Sequence, residues 1–550
     1  MNSRRSLRLA IGVAVIAVLV VVAIVSTLIW QGFLATGQGK APGAGETDHP
    51  ADPAQAKTIT ATRVEDFYKQ PVAWHPCTAQ QVTSMEEQAP RDLDQYECAA
   101  LTAPKDWDDP AGEQLSLSVA IHRSGKEDAP ALFFNLGGPG GAAVSSIVQQ
   151  VTSSMGEALV KTYDIVALDP RGVGASTPVV CMTDEERDAY NSGDGDEAID
   201  KDSESPDEIV KKAAIEAKKI AQGCETHSGD IYKHIDTVSA AKDFDMTRAL
   251  LGEETLNYLG YSYGTFLGAT YAGLFPERVG RFVLDGALDP AVDINTLSDL
   301  QMTGFEASIG HWVQDCLAGG SCPLKGTAEQ GITQVSRFLK RLETAPLPTS
   351  DEERPLTQSL ALTAVIGTLY STQTYSVLTQ ALDQAMNDND GSMLLYLADL
   401  FNERNADGTY ASASTDALIA INNLDYSPSG TVDEWADSAE KIRKKLRVFG
   451  EFAGYASAGL SAWPTDHAAR AKITADGAAP IVVIGTTHDP ATPYVMAQSL
   501  AEQLSSGVLV TNEGWNHTSY SKSANACVVK AVENYFVHGS IPEDGLVCSD

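Results

Sequence analysis

An α/β fold with a mostly parallel central sheet, interrupted by a long helical insertion, is the class this 550-residue sequence predicts. Three patterns predict it. Short apolar runs alternate with helix-period segments from about residue 115 to 289. The alternation stops from about 290 to 476, where the pattern is mostly helical, and it resumes at Ile481. Strands covered by helices on both faces are short and apolar throughout, which is how these runs read.

The elements follow in order. Arg4, Arg5 and Arg8 precede an uncharged stretch, Leu9 to Ile29, with Trp30 behind it. As a helix this stretch would span ~30 Å, about one hydrocarbon core. Basic residues stand before it and none follow until Lys40, so the start should stay cytoplasmic and the remainder be exported. A cleaved signal peptide is the competing reading, although its apolar region is usually about 7–15 residues. Residues 1–30 are therefore expected to be a single-pass cell-membrane anchor, or a signal whose removal would leave a secreted protein. Residues 31–60, rich in Gly, Ala, Pro, Thr and Asp, read as a flexible linker.

The first part of the α/β core is expected over 61–289, with strands at Leu115–His122, Ala131–Leu136, Tyr163–Leu168, Leu256–Leu259 and Arg281–Leu284. Thr237–Leu251 and Phe266–Phe275 have helical periodicity. Residues 184–223 form an acidic excursion that turns helical around Ile209–Ala221. A helical cap should fill 290–476. The core's second part, 477–550, carries strands at Ile481–Ile484 and Val508–Val510 and helices near Pro493–Leu504 and Ala526–Phe536.

The eight cysteines are 77, 98, 181, 224, 316, 322, 527 and 548. An even count in an exported chain suggests disulfides. Sequential pairing is the simplest arrangement, since each bridge then closes a local loop, but sequence does not choose among the connectivities. No Cys or His spacing suits zinc, so no metal site is expected. A formal charge of -34 argues against a nucleic-acid partner, which needs clustered Lys and Arg.

Gly260-Tyr261-Ser262-Tyr263-Gly264 fits a G-x-S-x-G nucleophile elbow between a strand and a helix. Ser262 is the candidate nucleophile. Asn135-Leu136-Gly137-Gly138-Pro139-Gly140-Gly141 follows an apolar strand, and its backbone can approach a reacting carbonyl closely. The N–H groups of Gly138 and Tyr263 are the candidate oxyanion donors. A phosphate loop is the alternative, but no Gly-Lys-Ser/Thr ending is present. In an α/β-hydrolase the order is serine, acid, histidine. His517 follows the final strand and is the candidate base. Asp489 ends the Ile481–Thr487 strand and is the candidate acid; Asp285 also ends a strand and is its rival. Asp169, before Pro170-Arg171-Gly172, reads as a turn-former.

The GGPGG loop, the turn Asp169 to Gly174 and Gly260 to Thr265 together resemble the proline iminopeptidase group of α/β-hydrolases. More closely, the chain resembles secreted tripeptidyl aminopeptidases with a TAP-like carboxy-terminal segment. Asp243-Phe244-Asp245 with Arg248, Phe275 to Val279, Leu284-Asp285-Gly286, and Cys527, Gly539, Pro542 and Cys548 support the likeness, which covers roughly 65–550. It implies an α/β-hydrolase fold with a helical cap, no cofactor, and serine hydrolysis of peptides from a free amino terminus. It also implies acidic cap groups for the substrate ammonium. Glu306 and Asp315 lie in that region but match no motif. Cysteines that relatives often carry near Asn423 and Leu460 are absent as a pair. A carboxylesterase or lipase acting on envelope esters is the alternative function, because the same triad serves both. The sequence leaves the oligomeric state open.

Overall fold

The computed structural model describes residues 56–83, 90, 92–193, 205–468 and 470–549. The expected anchor or signal segment and nearly all of the linker lie outside the described residues. Among the described residues no helix is long and apolar enough to cross a membrane.

Ten strands form one mixed sheet: β1 His75–Pro76, β2 Tyr96–Pro104, β3 Gln114–His122, β4 Ala131–Asn135, β5 Asp164–Leu168, β6 Leu256–Tyr261, β7 Val279–Asp285, β8 Ile481–Thr486, β9 Gly507–Asn512 and β10 Leu546–Cys548. Their order is β1-β2-β3-β5-β4-β6-β7-β8-β9-β10. β1, β2 and β3 pair antiparallel, as do β3 and β5. Every later neighbour is parallel. All residues of β4, β5 and β8 are buried, which explains their uninterrupted apolar runs.

The seven strands expected from sequence are present. β1, β2 and β10 were not expected, for identifiable reasons. β2 reads YECAALTAP, with little β-branched content. β1 and β10 are only two and three residues long, too short for a periodic signal.

Between β7 and β8 the chain is helical from Ile294 to Leu460 apart from its connections. Asp293 caps the first helix, Ile294–Ala318, by accepting from the N–H groups of Asn295 and Thr296. Most of the insertion surrounds its own core, with Trp312, Phe338, Leu378 and Phe401 buried together. The helix Ser414–Asp425 differs: its Ala417, Leu418, Ile421 and Leu424 join the main core beneath the sheet. It therefore reaches down to the sheet's loops, and a Cβ on Gly140 would lie 2.5 Å from Ser414 O.

Four disulfides pair the cysteines sequentially: Cys77–Cys98, Cys181–Cys224, Cys316–Cys322 and Cys527–Cys548. Cys181–Cys224 ties back the acidic excursion, which carries helices Asp184–Ser192 and Pro206–Ser228. Several sequence motifs are architectural. Asp169 accepts from the N–H groups of Val144 and Ala175. Arg171 is fully buried and binds Asp243 through Nε and Nη2 at 2.7 Å each. Asp245 gathers Arg248, Arg278, Tyr68 and Tyr271 around one carboxylate.

Candidate active site

Ser262 sits between β6 and the helix Tyr263–Leu274, with φ 55° and ψ −123°. A non-glycine residue held there stores about 1–3 kcal/mol of strain, which the surroundings must overdetermine. The flanking glycines make that possible. A Cβ on Gly260 would lie 2.5 Å from Gly264 O, and one on Gly264 would lie 2.8 Å from Asn135 O. The Ser262 N–H donates to Asp285 O at 3.0 Å, which fixes the elbow to the end of β7.

The glycine loop lies against this turn. Gly137 has φ +95°, and a Cβ there would come within 2.6 Å of Tyr261 O and 2.9 Å of the Ser262 Cβ. Its N–H donates to Asn135 Oδ1 at 3.0 Å. Gly138 and Tyr263, the two expected oxyanion donors, line the same cavity as Ser262.

The structure joins His517 to Asp489. Nδ1 of His517 lies 2.9 Å from each carboxylate oxygen. Asp489 also accepts from the N–H groups of Ala491, Thr492 and Thr518 and from the Thr492 hydroxyl. This set of donors fixes the carboxylate, so the imidazole orientation is fixed in turn. The cap contributes as well: the His517 N–H donates to Tyr370 O at 2.8 Å, and the two rings meet edge to face at 5.3 Å. Nε2 of His517 and Oγ of Ser262 are both buried without a hydrogen-bond partner. A catalytic hydrogen bond between nucleophile and base often tightens only in the substrate complex.

Asp285 does not contact the imidazole. Its carboxylate accepts from the N–H groups of Ser519 and Tyr520 at 2.6–2.9 Å. It thus anchors the loop that carries His517, and burial pushes its pKa up to about 6. The geometry puts Asp489, rather than Asp285, in the position of the acid.

The cavity is also lined by Leu297, Gln301, Asn422, Asp425, Tyr426 and Arg470, all from the helical insertion. Sequence reasoning named none of these six, and no motif marks them. Asp425 is fully enclosed; burial pushes its pKa up to about 7, against the two Thr237 hydrogen bonds that lower it. The Thr237 hydroxyl also meets the Tyr263 hydroxyl. Neither Glu306 nor Asp315 lines the cavity. Glu306 instead accepts from the backbone N–H groups of Arg447, Val448 and Phe449, and Asp315 lies electrostatically close to His311 and Tyr375. Among the described residues no group of three or more His, Cys, Asp or Glu could hold a metal ion.

The alpha/beta hydrolase fold family matches residues 130–522. The serine protease Hip1 of Mycobacterium tuberculosis is 32% identical over 501 residues, covering 89% of this chain and 93% of that protein. Carboxylesterase B of the same species is 34% identical over 458 residues, covering 82% and 86%. A tripeptidyl aminopeptidase of Streptomyces coelicolor is 27% identical over 485 residues, covering 82% and 83%. The motif resemblance thus extends to whole-chain relatives, which include both peptidases and an esterase. With its parallel sheet, helical insertion and serine elbow, the chain belongs to the alpha/beta hydrolase fold family and is a serine hydrolase.

Proposed function

We propose that this protein is an exported, membrane-tethered serine aminopeptidase that cleaves short peptides from a free amino terminus. The observation that carries the reading is the cavity itself. It holds the unpartnered Ser262 Oγ in the same site as an Asp489-oriented His517, and the helical insertion supplies six of its lining residues. A site roofed by an insertion favours a short peptide or a chain end over the middle of a long polypeptide. Two of the three relatives above are named as peptidases.

In this reading Ser262 Oγ attacks the scissile carbonyl while His517 Nε2 takes its proton. The N–H groups of Gly138 and Tyr263 bind the oxyanion. His517 returns the proton to the leaving amine, leaving an acyl ester on Ser262. Water, deprotonated by His517, then releases the acid and restores the serine. Asp489 stabilises the imidazolium throughout. No cofactor or nucleic-acid partner has a part in these steps.

The test compares a tripeptide anilide bearing a free amine with its N-acetyl twin, using the full chain and Ser262→Ala as the control. A strong, Ser262-dependent preference for the free amine is expected. Equal rates on the two peptides would reject the aminopeptidase reading. The second reading, a carboxylesterase, is favoured by the 34% identical carboxylesterase B; turnover confined to simple esters would establish it in place of the first.

A further inference from the structure

The cavity contains buried donors that the acyl-transfer steps do not use. Ser262 Oγ and His517 Nε2 have no hydrogen-bond partner, and the reaction explains both. Asn422 Nδ2 and Arg470 Nε and Nη1, on the opposite wall, are also buried without a partner. Two buried N–H groups of a guanidinium left unmet are costly, and the nearby Asp425 acts on Arg470 through its charge without a hydrogen bond to it. No ion pair forms between Arg470 and any described carboxylate. Asp425, in the same cavity wall, is engaged by Thr237 instead. The guanidinium donates from Nη2 to Asp289 O at 3.3 Å.

Aromatic rings on both walls hold this charge in place. The Arg470 Cζ lies 3.6 Å from the centroid of Phe266, on the helix after the elbow, and 4.3 Å from that of Tyr426, beside Asp425. Two aromatic rings thus pack against the guanidinium carbon, and its Nε and Nη1 donors are left for a ligand to meet. An in-plane fork of N–H donors with an amide N–H₂ nearby matches a planar, bidentate acceptor that carries negative charge. We infer that Arg470, assisted by Asn422, receives a carboxylate of the substrate close to the scissile bond. The site would then select acidic substrates: either an Asp or Glu side chain beside that bond, or the terminal carboxylate of a very short peptide. This deepens the reading of Ser262 as nucleophile and rests on it.

Two fluorophosphonates differing only in a terminal carboxylate or carboxamide test the inference on the full chain, with the rate of Ser262 labelling as readout. The carboxylate probe should react at least about tenfold faster. Arg470→Met should bring the ratio of the two labelling rates to about one, and Arg470→Lys should keep part of the advantage as a point charge. Equal labelling of the wild type by both probes would overturn the inference, whatever the variants do. So would equal losses on both probes in both variants, the mark of a purely structural arginine. If neither probe labels Ser262, the nucleophile assignment itself falls and the inference with it. Peptide pairs with Glu or Gln beside the scissile bond, and with a free or amidated carboxy terminus, then distinguish the two sources. The pair whose ratio of kcat/KM depends on Arg470 identifies the carboxylate.

Discussion

The two walls of the cavity are built on opposite terms. On the sheet side the functional carboxylates are saturated: Asp489 accepts from three backbone N–H groups, one hydroxyl and His517. Asp285 pins the loop just beyond the histidine. On the insertion side Asn422 and Arg470 hold buried donors with nothing to bind. The first wall is preorganised in the absence of ligand, as electrostatic catalysis requires. On the inference drawn above, the second would be completed by a substrate carboxylate. Chemistry and selectivity would then rest on different stretches of chain, so one could vary without the other.

That contrast can be broken most severely at Ser262. Ser262→Ala should lower kcat by about 10⁴-fold or more with an unchanged melting temperature, because the serine hydroxyl makes no hydrogen bond in the fold. Retained turnover on the same substrate would remove it from the chemistry. Asp489→Asn should cost about 10³–10⁴-fold in kcat through the wrong imidazole tautomer, checked by steady-state rates across pH. Gly137→Ala comes next. Its Cβ would strike Tyr261 O and the Ser262 Cβ, displacing the oxyanion loop for a loss of about 10²–10³-fold in kcat, with fluorophosphonate labelling slowed alongside.

The smallest effect concerns stability on the insertion side. Burial raises the Asp425 pKa to about 7, above the ordinary value near 3.9 for an unfolded chain. Its contribution to stability is therefore fully present below about pH 4 and is lost as pH rises through about 7. Asp425→Asn, which cannot ionise, should gain on the wild type by about 1–3 °C in melting temperature between pH 5 and pH 8. A difference that stays flat across this range would show that Asp425 does not titrate there.

The sheet-side residues were legible because their chemistry imposes local grammar. A strained serine needs Gly260 and Gly264 beside it, and an approaching backbone needs Gly137, so both sites leave motifs in consecutive residues. Chain order then singled out His517; Asp489 and Asp285 both satisfy that order, and the hydrogen bonds of His517 decide for Asp489. The insertion-side residues left no such trace. Asn422, Asp425 and Arg470 meet Ser262 only through tertiary packing, and an aromatic clamp shared by Phe266 and Tyr426 spans 160 residues. Glu306 illustrates the converse: an acidic residue in a suitable region of sequence proves to cap backbone amides. β2 has a weak strand signature because of its alanines and the internal Glu97, despite nine paired residues.

The central claim is that Ser262, activated by the Asp489–His517 pair, is the reacting group. Peptide mapping by mass spectrometry after treatment of the full chain with a fluorophosphonate tests it most directly. One adduct is expected, on Ser262, absent from Ser262→Ala and formed at least about 100-fold more slowly in His517→Gln. An adduct on another serine, or a Ser262 adduct whose rate ignores His517, would contradict it.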